Sequence, residues 1–183
     1  MQQTLLSLVA LLIATFLSFN QLRAGLQSQK QAVRAEYEQM ALGVAMQTME
    51  VVRAQAFDEE TMSLSLDETI TNPSNFTKEG EFGIKGDCKL HPRGSGKECE
   101  TVDEFDGTTG TVPFSIAGKD DISFKVKKIE VRYVTGNLSV EKANSDGEFQ
   151  KEIVIFVQDI DPSGSPFPRL PEPIQYSQVI SYP

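Results

Sequence analysis

The chain has 183 residues, room for one domain plus an extension, with 17 basic against 26 acidic side chains and a net charge of −9. The imbalance is local: residues 1–57 carry four basic and three acidic side chains, which leaves 13 and 23 for residues 58–183. So acidic a C-terminal part argues against a nucleic-acid-binding role, which selects basic patches, and fits a solvated exterior.

Residues 1–57 predict one long helix. The first proline is Pro73, and Gly25 and Gly43 are the only glycines before it. A helix from near Thr4 to Ala56 or Phe57 would run roughly 80 Å at 1.5 Å per residue. From Leu5 to Phe19 there is no charge. The apolar side chains are Leu5, Leu6, Leu8, Val9, Leu11, Leu12, Ile13, Phe16, Leu17 and Phe19. They surround the helix, so this stretch needs an apolar environment on every side.

Three readings of this stretch stand side by side. A cleaved secretory signal lacks support, because Met1-Gln2-Gln3 carries no positive charge and no small-residue cleavage site follows. A transmembrane anchor is barely long enough against the ~20 residues that a bilayer core requires. The third is a helix that sits first in a membrane and later in a protein core. Ser7, Thr15 and Ser18 are tolerable in a transmembrane anchor, since each can bond a carbonyl one turn back. Ala10, Ala14 and Ser18 form a small-residue face that lets helices approach closely in an apolar medium.

From residue 20 the apolar set narrows to a stripe at helical spacing: Leu26, Val33, Tyr37, Met40, Val44 and Val51, with Ala41, Ala45, Val52 and Ala56 beside it. Gln27, Lys30, Arg34, Glu38 and Arg53 occupy the other face. Val33, Tyr37, Met40, Val44, Val51 and Val52 are therefore the residues expected to cover a sheet. Asp58-Glu59-Glu60 would oppose the dipole of a helix end, so the helix is expected to stop before them and Asp58 to begin a turn.

Residues 58–112 are rich in turn chemistry: Asn72-Pro73, Gly80, Gly83, Gly86, the run from His91 to Gly96, and Asp106-Gly107. A short strand from Glu81 to Lys85 is one expectation here. Cys88 and Cys99 lie in this polar stretch and read as a disulfide. Closing so short a loop contributes about 3 kcal/mol or less. Zinc on Cys88, His91 and Cys99, with Asp87 or Glu98, is the weaker reading, because a second ligand pair is missing. Asn75-Phe-Thr77 and Asn137-Leu-Ser139 match the N-glycosylation pattern, which is common by chance.

Residues 113–183 predict four or five antiparallel strands. Ile122, Phe124 and Val126 alternate; Ile129, Val131 and Tyr133 alternate in the opposite phase, which places a β-bulge at Lys127-Lys128. Gly136-Asn137 and Ser145-Asp146-Gly147 read as turns around a short strand from Leu138 to Lys142. Glu152–Val157 is the best central strand, Asp161–Pro168 a loop, and Ile174, Tyr176, Ile180 and Tyr182 share one face of a last strand. Phe167, Tyr176 and Tyr182 read as core or interface. The single histidine, His91, and the lack of nucleophile-elbow, P-loop or zinc-protease motifs point away from an enzyme, and no cofactor is expected.

An apolar helix half, an amphipathic half, an irregular connection and a C-terminal antiparallel sheet resemble the type IV pilin and pseudopilin superfamily. The expected class is α+β, with residues 1–25 for membrane and polymerisation, 26–57 packing on the head, 58–112 connecting, and 113–183 forming the sheet. In that family the mature chain begins after a removed, positively charged leader, and Met1 fits its first residue. Leu5 stands where the family usually has glutamate, and Leu22 where it often has a helix-breaking proline. Asn20 and Gly25 are only weak candidates for that helix-breaking role. Some pseudopilins hold calcium in acid-rich loops. Asp103 and Asp106 would be the ligands here, although their spacing does not match an EF-hand and a solvated turn fits better.

The resemblance implies a structural subunit of an extracellular filament, extracted from the cytoplasmic membrane by assembly machinery and packed against copies of itself. A minor pseudopilin of a secretion system and a membrane-anchored extracytoplasmic binding domain are the alternatives. No nucleic-acid site is expected.

Overall fold

The computed structural model describes residues 2–64, 69–83, 87–91, 94, 96–115, 122–134, 149–160 and 170–182, and the side chains of these except residues 2–5 and 73. The chain divides into two compact units, Met1–Tyr37 and Glu38–Pro183. The layout is α+β: a long N-terminal helix and a four-stranded antiparallel sheet.

Helix α1 runs from Gln2 to Arg53. It stops earlier than the expected Ala56 or Phe57, for a visible reason. The Ala56 amide leaves the helical ladder and donates to the Glu100 carbonyl (3.0 Å), while Val102 N donates back to Ala56 O (2.9 Å). This parallel bridge between Ala56 and Thr101 converts the helix end into sheet-like pairing. Asp58 then caps a second short helix, α2 (Glu59–Met62), accepting from Glu60 N and closing a capping box with Thr61. The acids thus sit at a helix N-terminus, where the dipole favours them, rather than opposing the end of α1.

The sheet contains β1 (Gly110–Phe114), β2 (Ile122–Tyr133), β3 (Gln150–Asp159) and β4 (Ile174–Ser181), in the order β1-β2-β3-β4 with every neighbour antiparallel. The register jumps from Val126↔Val157 to Lys128↔Phe156, so the bulge lies where the phase of the apolar residues slips. Because of that slip, Phe124, Val126, Ile129, Val131 and Tyr133 are all buried. Strand β3 is paired on both sides, and its Ile153, Ile155 and Val157 are buried. Along β4 half-buried and exposed residues alternate, with Ile174, Tyr176 and Ile180 in the half-buried phase. The Glu81–Lys85 strand expectation is corrected at its start: Glu79–Glu81 is a 3₁₀ turn, and residues 84–86 lie outside the described set. The expected turns and strand between 136 and 147, the loop from 161 to 168, Asn137 and Phe167 also lie outside it.

Within the second unit, Ala41, Val44, Ala45, Thr48, Met49 and Val52 of α1 are buried. Gly43 lies against Phe114 of β1, where an added Cβ would come within 3.3 Å of the ring. Ten residues later Arg53 reaches Gln178 of β4. The helix therefore passes from one edge strand to the other across the apolar face. Tyr37, Met40 and Val51 are half-buried, as the outer parts of such a stripe. Val33, in the first unit, is 48 % exposed, and the buried residues of α1 in the second unit begin at Ala41. Leu26, also in the first unit, is 60 % exposed.

Candidate functional site

Two regions carry chemistry that the fold alone does not require. The first is the apolar stretch of α1. Leu6, Leu8, Val9, Leu11, Leu12, Ile13, Phe16, Leu17 and Phe19 are all exposed, from 43 % at Val9 to 68 % at Leu6. Leu5 belongs to this stretch by sequence, and its side chain lies outside the described set. Thr15 and Ser18 do bond back, donating to Leu12 O and Ala14 O at 2.9 Å each. Polar hydroxyls in this stretch thus offer little to water, and their backbone bonds suit an apolar medium. Among the described residues this is the one helix long and apolar enough to cross a membrane, by length and composition only.

The second region is a buried ionic cluster around Lys151, which the sequence reading passed over. Lys151 is the first inward-facing residue of β3, in phase with Ile153, Ile155 and Val157, and it is fully buried. Its Nζ donates to Phe57 O (2.8 Å), to Asp58 Oδ2 (2.8 Å) and to Asp103 Oδ1. Three aromatic rings surround the ammonium, with centroids at 4.4 Å (Phe57), 4.9 Å (Tyr133) and 5.3 Å (Phe82). Such rings attract a cation through their negative faces and keep water away.

Local structure brings the two acids here. The Ala56–Thr101 bridge sets residues 57–58 beside residues 102–103. Asp103 opens the 3₁₀ turn Asp103–Phe105. Its carbonyl accepts from Gly83 N at 3.0 Å. Gly83 has φ +69, and a Cβ there would fall 2.2 Å from Asp106 O, so this approach demands glycine.

The two carboxyls differ. Asp58 accepts at Oδ1 from Thr77 N (3.1 Å), Thr77 Oγ1 (2.9 Å) and Glu60 N (3.2 Å), and at Oδ2 from Lys151 and Tyr133 Oη (3.1 Å). Burial alone would raise its pKa, but the Lys151 charge and these hydrogen bonds outweigh burial and hold it below the usual carboxylate value. Asp103 has one oxygen on Lys151, while its buried Oδ2 has no hydrogen-bond partner among the described residues. Burial, reinforced by the Asp58 charge and opposed by Lys151, pushes Asp103 up to about 8. One lysine thus faces two carboxyls whose surroundings push them in opposite directions, Asp58 down and Asp103 up. Burial, followed by the same acids, raises the Tyr133 hydroxyl and keeps it protonated. A cavity of about 320 Å³ adjoins Asp103, lined among others by Thr77, Thr101 and Glu104.

Cys88 and Cys99 form a disulfide with Cα atoms 5.5 Å apart. That excludes the zinc alternative, which needs free thiolates. Asp103 and Asp106, the possible calcium ligands, both serve the fold: Asp103 on Lys151, and Asp106 accepting from Val131 N at 2.9 Å. Among the described residues no group of three or more metal-binding side chains is placed to hold an ion. Asn75 is exposed, while the Thr77 hydroxyl of its acceptor triplet is held by Asp58.

Comparison of the chain with family models, with curated proteins and with solved structures finds no match.

Proposed function

We propose that the chain is a structural subunit of an extracellular filament of the type IV pilus kind. The observation that carries this reading is the exposed apolar girdle of α1 from Leu6 to Phe19. Each leucine-sized side chain left in water costs about 1.5–3 kcal/mol, so the girdle demands an external apolar partner. Lipid supplies it before assembly. The same stretch of other copies supplies it afterwards, and repetition of one non-closing contact generates a helical filament. The small-residue face at Ala10, Ala14 and Ser18 supports close helix approach. The disulfide and the acidic, solvated head fit an oxidising exterior. The partners are copies of the chain, the cytoplasmic membrane and the machinery that extracts subunits from it.

The test is electron microscopy of material sheared from cells that express the chain, with mass spectrometry of the purified filaments. Filaments that contain this chain as their main component are the expected outcome. If it stays wholly in the membrane fraction and no filaments form, the anchored-domain reading replaces this one. Short, scarce filaments that need a secretion system would favour the pseudopilin reading.

A further inference from the structure

We propose that the Lys151 cluster is an autocatalytic cross-linking site, in which the Lys151 amine condenses with the Asp103 side chain to form an intramolecular isopeptide bond. The inference is independent of filament assembly, because it concerns the head alone.

Four observations carry it. The amine and both carboxyls are buried, and the amine donates to each carboxyl. Three aromatic rings enclose the amine. The two acids differ in their contacts: Asp58 is surrounded by donors, whereas the outer oxygen of Asp103 has none among the described residues. The cavity beside Asp103 offers a small leaving molecule a way out.

In water an amine and a carboxylic acid exchange a proton and stop as an ion pair, because solvation favours the charged forms. Burial removes that solvation and favours the neutral acid, and a neighbouring carboxylate can take the proton that the amine must lose. A carboxylic acid is electrophilic at its carbonyl carbon, and a carboxylate is not. Asp103, raised by burial, holds the acid proton and is therefore the acyl group. Asp58 Oδ2, which accepts directly from the Lys151 ammonium at 2.8 Å, is placed to receive its proton and is the base.

The steps balance. Asp58 takes one proton from the Lys151 ammonium. The free amine attacks the side-chain carbonyl carbon of Asp103, forming a C–N bond and a tetrahedral adduct. The nitrogen gives a second proton to the departing hydroxyl, which leaves as water when the C–O bond breaks. The products are a neutral amide, one water and a protonated Asp58, with the same total charge as before. No oxidant, metal or activated donor is required. The product would join β3 to the segment after the Ala56–Thr101 bridge by a covalent strut. Force or protease acting on the head could not separate them by unfolding alone.

The experiment is mass spectrometry of the full-length chain, purified in detergent, then reduced and denatured. The expected mass is lower than that of the sequence by one water in nearly all molecules. Proteolysis should release a branched peptide that joins Lys151 to Asp103. Asp58→Asn cannot take the proton and should show the full mass. Asp103→Asn keeps an acyl group and should give the same branched peptide with loss of ammonia instead of water, an outcome no simple ion pair produces. An uncross-linked wild-type chain after prolonged incubation at neutral pH would overturn the proposal, whatever the variants do. So would a one-water deficit that maps to a linear peptide, such as a succinimide at Asp106-Gly107. A link to Asp58 would overturn the assignment of roles.

Discussion

The stretches of α1 on either side of Tyr37 are built from the same residue types and meet opposite fates. Leu12 and Phe16 are exposed, while Val44 and Met49, further along the same helix, are buried. What differs is the partner. The second unit contains a sheet whose apolar face needs a cover, and Ala41, Val44, Ala45, Thr48, Met49 and Val52 supply it. Among the described residues the first unit contains no other element to cover. Hydrophobicity states a demand, and topology decides whether the demand is met inside the chain.

An identical kind of substitution in the two stretches should therefore break different things. Val44→Asp places an unpaired carboxylate at a fully buried position. It should cost about 4 kcal/mol or more and unfold the head, read as lost far-UV dichroism and a collapsed urea midpoint. Leu12→Asp should leave that midpoint unchanged to within about 0.5 kcal/mol. It should instead disfavour membrane insertion by about 2.5–3.5 kcal/mol, read as a shift of the chain from the membrane fraction to the soluble one. Equal effects of the two variants on the head midpoint would refute the division.

The disulfide tests the head by itself. Cys88 and Cys99 are separated by 11 residues. The double change Cys88→Ser with Cys99→Ser should lower head stability by about 3 kcal/mol or less. Membrane partition should not change. A loss of partition would mean that the two units are not energetically separate.

Acid–base titration gives a finer probe of the same core. The folded-state pKa of Asp103 is about 8, against an ordinary 3.8, so between these values the folded state holds a proton that the unfolded chain releases. Head stability should fall as pH rises through that window, by at most about 1.4 kcal/mol per pH unit, and level off above it. Asp58 works in the other direction: its lowered pKa means that stability is lost as pH drops below 3.8. Stability of the unlinked chain should thus peak near the ordinary carboxylate value. A chain linked through Asp103 has no proton to give up there and should lack the alkaline slope. Urea denaturation of the two species, distinguished by mass, checks both statements.

Much of this architecture was legible beforehand. The change of phase between Val126 and Ile129 announced the bulge, because a period of two leaves no other way to keep both sets inward. The run from Glu152 to Val157 announced a strand paired on both sides. Lys151 was missed because a lysine at a strand end ordinarily reaches water. Its phase with Ile153 and Ile155 was the available signal. Asp58-Glu59-Glu60 was read against the preceding helix instead of the following one. Val33 was placed on the packed face because helical spacing identifies a stripe and says nothing of where the covering element ends. The Ala56–Thr101 bridge, which brings Asp58 to Asp103, joins positions far apart in sequence, and no local pattern encodes it.

The smallest effect should come from the solvent-facing side of the sheet. Arg132 on β2 is opposite Glu152 on β3, and Arg132 Nη2 reaches Glu152 Oε2 at 2.5 Å. Arg132 Nε reaches the same oxygen at 2.8 Å. The geometry resembles that of the Lys151 pair, but water reaches this one: the two side chains are 37 % and 17 % exposed. Solvent screens their attraction, and ordering two long side chains costs entropy. A double-mutant cycle with Arg132→Ala and Glu152→Ala should give a coupling of less than about 1 kcal/mol, which added salt weakens further. A coupling several times larger would mean that water reaches this pair less than its exposure indicates.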